Sequence, residues 1–504
     1  MAASTYATID IASHELSMKI YEISKQHGIR ELSHVRHKLP MSSETYADGI
    51  ISYQTIEEIC HTLNDFKRLM SEWKTTSWQI YATGALRDAG NALVVIDQIK
   101  IQTGFNVKVL SNSETRFLYY KALSLKEPYF ESAIREGTLI VDIGAGSVQL
   151  SIFNESKLCV TQNLLLGASR IRELLQVMQD EAYDFHALID EYIEKDLVTF
   201  KRLYLDSTKI HHIIAVGEMI PEIYYIFKNA KPEFDGKLPR KTLHRGYLPK
   251  LTNPENARLI IPTLLLCRKI SQITNCEEFF LSKIDLCDSM MAEYAEKKLR
   301  LHSAHDFTGD ILSTSRNIAR KYKVDMQHVQ NVETLALQIF DRIRKLHGLG
   351  KRERLLLQIG VILHSCGTYI NEIQSRECSY RIIMSTEIIG ISHKERAIVA
   401  NMVRYNSMAF PRYEELDEDF TREEYITIVK LNAILKTANV LDKSNRQKIK
   451  KVGVTLQDGI LTITADTMED ITLEKGLFHQ RADVFQDVFG IRPMLKQKRS
   501  GKNG

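Results

Sequence analysis

The sequence has no Cys-x-x-Cys pair and no dense group of cysteines. Its seven cysteines form an odd, scattered set: Cys60, Cys159, Cys267, Cys276, Cys287, Cys366 and Cys378. A disulfide framework needs paired cysteines at regular spacings, so this set favours reduced thiols. We expect most of these thiols to be buried, as in a cytosolic protein.

Long apolar runs are also missing. No stretch approaches the roughly 18 consecutive apolar residues that cross a bilayer as a helix. The segment Met1-Ala-Ala-Ser-Thr-Tyr enters the first predicted strand without the basic start or apolar core of a signal peptide. We therefore expect no membrane partner and a cytoplasmic location.

Charge of one sign is not in excess. The chain has 67 Lys and Arg against 63 Asp and Glu, a net charge of +4. This balance is too mild to indicate a nucleic-acid partner, although a local basic patch could still attract a polyanion. With 504 residues, 44% hydrophobic and 26% charged, the composition is that of a soluble globular protein with about three or four domains of roughly 150 residues.

A glycine-rich hairpin is the most informative segment. In Thr138 to Phe153 an apolar run ends at Asp142, a turn follows at Gly144-Ala145-Gly146-Ser147, and an alternating strand leaves it. Backbone N–H groups in such a turn can bind an anion, and Asp142 could hold a hydrated divalent cation beside a phosphate. The alternative is a plain glycine turn in a buried hairpin, because short glycine motifs often occur by chance.

A second copy of the pattern favours the phosphate hypothesis. The segment Asp10 to Lys25 aligns without a gap with Asp142 to Lys157, and each has an apolar strand, an aspartate, a turn of small residues and an alternating strand. Two such hairpins, each opening half of a duplicated α/β unit, could hold a phosphate chain and its metal across a cleft. This is the arrangement of the actin-like ATPase and sugar-kinase architecture.

The motifs resemble those of the exopolyphosphatase and guanosine pentaphosphate phosphohydrolase (Ppx/GppA) family. Its first loop reads Asp-Ile-Gly-Ser-Asn-Ser and its second Asp-Ile-Gly-Gly-Gly-Ser-Thr-Glu, and its arginine motif reads Ala-Thr-Ser-Ala-x-Arg-x-Ala. The matching segments here are Asp10–Glu15, Asp142–Gln149, Tyr81–Ala89, Leu110–Arg116, Leu166–Arg170 and Ala215–Gly217. The likeness continues to the C-terminal end.

The resemblance implies a role for each site residue. Glu114 would be the catalytic carboxylate that orients or deprotonates water, while Asp10 and Asp142 would hold Mg²⁺ or another divalent cation. Phosphate would be bound by Ser13, Arg87, Gly144, Ala145, Gly146, Ser147 and Gly217. The implied activity is release of terminal phosphate from inorganic polyphosphate or guanosine pentaphosphate, by a homodimer.

Some positions depart from the family motifs. The first loop has Ala12-Ser13-His14-Glu15, so it loses its glycine and gains an acid. Gln149 stands where the second loop of the family ends in glutamate, and an amide cannot accept a proton at neutral pH. Glu218 replaces the threonine of an expected Gly-Thr turn. The alternative is therefore a catalytically weakened regulatory protein that binds polyphosphate or an alarmone; an ATP-dependent kinase is a third, less favoured hypothesis.

The predicted fold class is α/β, with duplicated actin-like (ribonuclease H-like) lobes, a C-terminal all-α HD-like domain and a small α/β cap. The predicted domains are lobe I (1–126), lobe II (127–300), the helical domain (301–446) and the C-terminal domain (447–504), which pairs Val452–Leu456 with Leu461–Ala465, has a helix after Leu477 and ends in a frayed basic tail from Lys496.

The helical segment resembles the HD-type domain of the family but has lost part of its motif. An HD metal site needs a His-Asp pair, and this chain has His364-Ser365; serine cannot replace a carboxylate as a ligand of a hard metal ion. Cys378 occupies a place where the family often has histidine, and His347 and Asp442 are possible remnants. We expect no metal in this domain.

The sequence allows two roles for one basic segment. Lys237 to Lys250 carries several cations and two prolines. It is either a solvated connection or an electrostatic guide for a polyanion.

Overall fold

The computed structural model describes residues 4–24, 28–176, 178, 183–205, 208–239, 242, 254–276, 278–299, 305–407, 409–416, 420–450, 452–457 and 459–498. The basic segment predicted at Lys237 to Lys250 lies outside these residues except for 237–239 and 242. The chain divides into two compact units, Met1–Asp310 and Ile311–Gly504.

The first lobe is a five-stranded sheet with helices, in the strand order β3-β2-β1-β4-β5. Its strands are β1 (Ser4–Ile11), β2 (Glu15–Ser24), β3 (Gly28–Lys38), β4 (Trp78–Ala82) and β5 (Lys108–Val109). Its helices are α1 (Met41–Asp48), α2 (Tyr53–Glu72), α3 (Gly84–Asp88), α4 (Ala92–Thr103), α5 (Asn112–Lys126) and α6 (Phe130–Ala133).

The second lobe is a six-stranded sheet in the order β10-β11-β9-β6-β7-β8. Its strands are β6 (Thr138–Ile143), β7 (Val148–Asn154), β8 (Lys157–Leu164), β9 (His212–Val216), β10 (Lys237–Pro239) and β11 (Glu278–Leu281). Its helical segments are α7 (Ala168–Gln176), α8 (Phe185–Phe200), the π-helix Lys201–Leu205, α9 (Ile220–Ala230), α10 (Pro254–Thr274), α11 (Leu286–Tyr294) and the π-helix Ala295–Leu299.

The two lobes repeat one topology, which confirms the predicted duplication. β1 pairs antiparallel with β2 so that Asp10 faces Ser17, and β6 pairs antiparallel with β7 so that Asp142 faces Gln149. On its other side each of these strands pairs in parallel with the next strand of its lobe, β1 with β4 and β6 with β9. Both predicted aspartates therefore lie at the same position of equivalent hairpins.

Each lobe has its own apolar core, which fixes the ends of these strands. All of β6 is buried, and β1 is buried from Tyr6 onward, as the unbroken apolar runs predict for strands covered on both faces. The first core gathers residues of β1, β2, β4, α2 and α4, and the second gathers residues of β6, β7, β9 and α7 to α10. The loops after β1 and β6 are thus held on rigid elements.

Helix α11 returns to the first lobe. It packs on β1, β2 and α5, and the Tyr294 ring that ends it stacks on Tyr6 with 3.8 Å between ring centroids. Its Asp285 cap and Asp288 carboxylate bind Lys19 Nζ of β2 at 2.8 and 2.9 Å. The last helix of the second lobe's sequence is therefore part of the packing of the first.

The second unit is helical and ends in a small sheet. Its helical segments are α12 (Phe307–Lys321), which begins before residue 311, α13 (Met326–Arg342), α14 (Arg344–His347), α15 (Lys351–Leu363), the 3₁₀ turn Cys366–Tyr369, α16 (Ser375–Ser385), α17 (His393–Arg404), the 3₁₀ turn Tyr413–Glu415 and α18 (Arg422–Val440). The elements that follow are β12 (Val452–Gln457), β13 (Ile460–Asp466), α19 (Thr472–Phe489) and β14 (Pro493–Lys498).

The C-terminal α/β element is confirmed with two corrections. β12 and β13 form the predicted hairpin, but α19 begins at Thr472, before Leu477. The predicted frayed tail from Lys496 is wrong at its start, because Lys496 to Lys498 belong to β14, which pairs in parallel with β13. The alternation Met494, Lys496, Lys498 on one face is that of an edge strand, where lysine is common.

The cysteines are as expected. All seven cysteines are free, and five of them are buried. In the described part of the chain no helix is both long and apolar enough to cross a membrane. The three predicted domain boundaries and the HD-like character of the helical domain stay predictions.

Candidate functional site

A narrow cavity of ≈ 40 Å³ lies between the two hairpins of the first unit. It is lined by Asp10, Thr83, Gly84, Arg87, Asn112, Thr115, Tyr119, Asp142, Gly144, Ala145, Gly146, Ser147, Gln149, Glu218 and Leu286. Most of the predicted site residues therefore meet in one place, which we call the phosphate cavity. Ser13, Glu114 and Gly217 are predicted site residues that do not line it.

The second hairpin loop is held from behind. The loop is closed by a hydrogen bond from Gly144 N–H to Ser147 O at 3.0 Å, and helix α7 donates to it, with Ala168 N–H to Gly144 O and Ser169 N–H to Ala145 O, each at 3.1 Å. Carbonyl oxygens that pointed into the cavity would repel an anion. These hydrogen bonds engage the carbonyl oxygens of Gly144 and Ala145 on the side of helix α7. The loop is thereby fixed with its carbonyls turned to protein donors.

The glycines of this loop serve close packing. Gly144 and Gly146 are not needed for unusual backbone dihedrals, because neither has a positive φ. A Cβ at Gly146 would lie 2.9 Å from Asp88 Oδ2 and would collide with Tyr46 Oη, both of the first lobe. A Cβ at Gly167 would collide with the backbone of Ala145. Glycine is needed here because helix α7 and the first lobe approach the loop backbone closely.

The first hairpin loop joins the lobes. Its turn repeats the second one, with Ala12 N–H bonded to Glu15 O at 3.0 Å. Ser13 Oγ donates to Glu218 Oε1 at 2.9 Å and accepts from Ala85 N–H at 3.1 Å. The Ser13 hydroxyl therefore links the first loop to the second lobe. Its predicted role in phosphate binding is not seen in these contacts.

His14 is a neutral bridge in the same loop. Its Nδ1 and Nε2 are hydrogen-bonded to Ser42 Oγ at 2.8 Å and Ser169 Oγ at 3.0 Å. Burial, together with the Arg172 charge, lowers the pKa of His14 to about 3. Because the ring is neutral at physiological pH, its 3.7 Å approach to Glu218 Oε2 is no ion pair.

Three carboxylates converge on the phosphate cavity. Burial, followed by the charges of Glu218, Asp285 and Glu15, raises the pKa of Asp10 well above its ordinary value. Burial also raises the pKa of Asp142 to about 6, against the opposing effect of Arg116 and Arg87. For Glu218, burial and the Asp142 charge raise the pKa to about 7. Such a group of buried acids is typical of a functional site.

The carboxylates fit a divalent cation. Asp10 Oδ1 is buried and has no hydrogen-bond partner, and Asp142 lines the same cavity. Mg²⁺ commonly takes one or two protein carboxylates and completes its shell with water and substrate phosphate oxygens. Among the described residues no group of three or more His, Cys, Asp or Glu side chains could hold a metal ion, so a cation held by these two aspartates would need water or substrate oxygens to complete its shell.

Arg87 lies at the end of the short helix α3 and faces the cavity. Its Nε donates to Asp88 Oδ1 at 3.1 Å and its Nη1 to Leu110 O at 3.2 Å. These two bonds fix the guanidinium plane beside Asp142, and the positive charge of Arg87 lowers the pKa of the Asp142 carboxyl. An arginine held in this way can bind phosphate oxygens through its remaining donors.

Gln149 is held by a buried cation. Arg116 is wholly buried, and it donates from Nε to Gln149 Oε1 and from Nη1 to Thr161 Oγ1. The side-chain oxygen of Gln149 is therefore engaged away from any substrate. The interpretation of Gln149 as a residue without a proton-accepting role is consistent with this geometry.

Glu114 occupies the wrong face of helix α5 for the role we predicted. Its Oε2 accepts from Ser111 N–H and Ser111 Oγ, both at 3.0 Å, in a capping box, and its Oε1 accepts from Lys108 Nζ at 2.8 Å. The side chains of α5 that line the cavity are Asn112, Thr115 and Tyr119. They are spaced by three and four residues, as one helical face requires, and Glu114 is off that face.

Glu218 is the site residue that the sequence prediction missed. It follows β9 and Gly217, whose φ of +122° and close approach to the Ile143 backbone admit only glycine. Gly217 thus allows the end of β9 to lie against the end of β6, and the nearby Ala145 N–H opposes the effect of burial by lowering the pKa of the Glu218 carboxyl. The signal was present in the sequence, since Glu218 replaces the expected Gly-Thr turn, but it was interpreted only as a departure.

A larger cavity of ≈ 420 Å³ adjoins the phosphate cavity. The two share Asp10, Tyr119, Glu218 and Leu286. Gly217 lines this larger cavity, together with four cationic side chains, Arg36, Lys38, Arg172 and Arg258. A molecule whose terminal phosphate sits between the hairpins could place its remainder here.

The helical domain has a histidine pair that differs from the predicted remnants. His328 on α13 binds Asp442 Oδ2 through Nδ1 at 2.8 Å, and its ring lies 5.4 Å from that of His364. His347 is elsewhere: its Nε2 is bonded to Phe340 O and its Nδ1 to Leu349 N–H, each at 2.8 Å. Asp442 thus contacts His328, whose ring is the neighbour of His364, while His347 stabilises a turn. The expected absence of metal stays a prediction.

Sequence comparison gives matches along most of the chain. A model described as the Ppx/GppA phosphatase family matches residues 19–256, and one described as Ppx/GppA phosphatase, domain III, matches residues 312–480. A curated relative, the guanosine-5'-triphosphate,3'-diphosphate pyrophosphatase of Photobacterium profundum, is 21% identical over 417 residues, which cover 79% of this chain and 80% of the relative.

Solved structures show the same fold. An exopolyphosphatase from Cytophaga hutchinsonii superposes with a TM-score of 0.50 and 17% identity, covering 57% of this chain and 98% of that one. A Ppx/GppA family member from Aquifex aeolicus gives a TM-score of 0.48 and 19% identity, with 60% and 100% covered. The first of these supports the duplicated actin-like fold.

Proposed function

Because the chain belongs to the Ppx/GppA phosphatase family, we propose that it hydrolyses phosphoanhydrides, releasing the terminal phosphate of inorganic polyphosphate or guanosine pentaphosphate. The names of the curated relative and of the solved exopolyphosphatase support these two substrates. The observation that carries the proposal is the cavity in which a glycine-rich loop, an arginine and buried carboxylates meet.

The residues divide into two groups. Arg87 and the loop Gly144 to Ser147 would bind the terminal phosphate, and Asp10 and Asp142 would hold a divalent cation such as Mg²⁺. A bound cation would neutralise charge on the phosphate oxygens. Pre-organised charge of this kind is the main contribution that a protein makes to phosphoryl transfer. The hairpins are rigid enough for it, because both are anchored in buried strands.

The distribution of charge explains why cation and phosphate would bind together. Without a cation, three carboxylates would repel a phosphate chain; without a phosphate, the cation would have only two protein ligands. The larger cavity, which four cationic and five acidic side chains line, has room for the remainder of either substrate, so it does not by itself decide between them.

The test is a phosphate-release panel with polyphosphate, guanosine pentaphosphate and ATP, with and without Mg²⁺. We expect Mg²⁺-dependent release of orthophosphate from at least one of the first two and little from ATP. No release, together with tight binding of one compound, would replace hydrolysis by the regulatory-binding alternative. Homodimerisation and a cytoplasmic location stay predictions.

A further inference from the structure

We propose that Glu218 is the catalytic carboxylate that accepts the proton of the attacking water in the proposed phosphate release. This assignment rests on the proposed function. It replaces Glu114, which the capping box of α5 turns away from the cavity.

The first argument is the set of side chains available. Among the described residues that line the phosphate cavity, only Asp10, Asp142 and Glu218 can accept a proton. Helix α5 contributes Asn112, Thr115 and Tyr119, and the second hairpin contributes Gln149; amides and hydroxyls are poor bases at neutral pH. A water positioned here for attack therefore has three possible proton acceptors.

The second argument separates Glu218 from the two aspartates. Asp10 and Asp142 occupy equivalent positions within β1 and β6, which suits two ligands of one cation between the hairpins. Glu218 has no counterpart in this symmetry, because it lies on the turn after β9. Its longer side chain enters the cavity from the second lobe.

The third argument is how the carboxylate is held. Ser13 Oγ donates to Oε1 at 2.9 Å, and Ser13 is itself fixed by Ala85 N–H at 3.1 Å. Oε2 is buried and has no hydrogen-bond partner. One oxygen is thus anchored while the other keeps an unused acceptor position, and a general base needs such a position to hold one water. Gly84 leaves room for this hydrogen bond. A Cβ added at residue 84 would collide with Ser13 Oγ and would lie 3.2 Å from Glu218 Oε1.

The fourth argument is position. Glu218 lines both the phosphate cavity and the larger cavity. Glu218 therefore lies where the space for the terminal phosphate meets the space for the rest of the substrate.

The chemical step balances with water alone. The water oxygen forms a bond to the terminal phosphorus while the bond from that phosphorus to the bridging oxygen breaks. Glu218 takes one proton from the water, and the bridging oxygen leaves on the shortened chain with its electron pair. The products are orthophosphate and a chain shorter by one phosphate; the proton on Glu218 returns to solvent or to the leaving chain.

The experiment compares Glu218→Gln with the wild type on the substrate that the panel identifies. Glutamine keeps the size of the side chain and its bond from Ser13, so the fold should survive, as a thermal unfolding scan will check. We expect kcat to fall by about 10²-fold or more, while KM and the Mg²⁺ concentration for half-maximal rate change by less than about threefold.

Two variants serve as comparisons. Glu191→Gln removes the same charge from the exposed face of α8, outside both cavities, and should keep kcat within about twofold. Glu114→Gln tests the replaced assignment and should lose much less activity than Glu218→Gln.

Other outcomes overturn the assignment. Full activity of Glu218→Gln would show that Glu218 is not the base, and a loss that high Mg²⁺ restores would make it a metal ligand instead. A wild type that releases phosphate from no compound of the panel would overturn the proposed function, and this assignment with it, so the two failures are distinguishable.

Discussion

Three buried carboxylates in one cavity carry a cost for folding. Asp142 has a pKa of about 6 in the folded chain, above its value of 3.8 in an unfolded one. Between these pH values the folded state binds more protons than the unfolded state, so its stability falls as the pH rises. Above about pH 6 the ionised carboxylate lowers the free energy of unfolding by its full amount.

Asp142→Asn should therefore stabilise the protein at neutral pH in the absence of divalent cations. We expect the difference in unfolding free energy, variant minus wild type, to rise by about 1–3 kcal/mol between pH 4 and pH 7, since one pKa unit corresponds to about 1.4 kcal/mol. Urea denaturation at several pH values measures it. The matched control is Asp97→Asn on the exposed surface of α4, where the difference should not vary with pH.

Added Mg²⁺ extends the same experiment. If Asp142 helps to hold the cation, Mg²⁺ should raise the stability of the wild type and leave that of Asp142→Asn nearly unchanged. An equal effect of Mg²⁺ on both proteins would remove Asp142 from the cation site.

We predicted a catalytic role for Glu114 from its place in the motif, and its contacts do not support that role. The sequence shows Ser111-x-x-Glu114, the pattern of a capping box, so the structural role could have been found without coordinates. What the sequence could not show is which face of α5 meets the cavity, because this depends on how the helix packs on the strands. Glu218 was missed for a related reason: its place beside Ser13 depends on contact between lobes that are distant in the chain.

At the scale of elements, the second hairpin loop and helix α7 form one unit. Gly167 precedes the helix and lies against the backbone of Ala145, and the first N–H groups of α7 donate to the loop carbonyls. Backbone cannot move aside as a flexible side chain can, so any Cβ at residue 167 must displace the loop.

We expect Gly167→Ala to destabilise the protein by about 1–3 kcal/mol and to weaken binding of polyphosphate or a phosphate analogue. Gly476→Ala is the matched control. Gly476 lies within helix α19 with no atom within 4 Å of an added Cβ, so the same change should stabilise by about 0.5–1 kcal/mol. Chemical denaturation of both variants gives the two signs, and a neutral Gly167→Ala would contradict the packing argument.

The elements themselves were largely predictable. Both hairpins, with Asp10 and Asp142 at equivalent positions, follow from apolar runs that end at an acid and a small-residue turn. The strand β14 was not predicted, because Pro493 to Lys498 has only a weak alternation and few apolar residues. Its pairing with β13 comes from the tertiary structure, which overrides a weak local preference.

At the scale of the whole molecule, sequence order and packing disagree for helix α11. The predicted boundary between residues 126 and 127 assigns α11 to lobe II, yet α11 packs on β1, β2 and α5. Lys19 of β2 is buried, and its Nζ lies 2.8 Å from Asp285, 2.9 Å from Asp288 and 3.3 Å from the exposed Glu31 of β3. A first lobe cut at this boundary would keep only Glu31 as a partner of this ammonium and would expose an apolar face.

A fragment of residues 1–126 should therefore fail to fold cooperatively, whereas residues 1–310 should fold. Removing partners of a buried charge costs up to about 3–5 kcal/mol, a large part of the stability of a small domain, and the apolar surface exposed by loss of α11 adds to this cost. Circular dichroism with thermal melts of the two fragments measures this. Cooperative unfolding of the shorter fragment would show that α11 is dispensable.

The bonds that join the lobes at the cleft also have a consequence in time. Ser13 is bound to Glu218, His14 to Ser169, and Arg172 to Ser43 Oγ at 2.8 Å. Widening the cleft breaks these bonds together, and such domain motions commonly take microseconds to milliseconds. In the proposed reaction, departure of the product rather than bond cleavage would then limit the rate. The expected signature is a burst of orthophosphate in the first turnover and a kcat that decreases as sucrose makes the solvent more viscous; a kcat indifferent to viscosity would place the slow step in the chemistry.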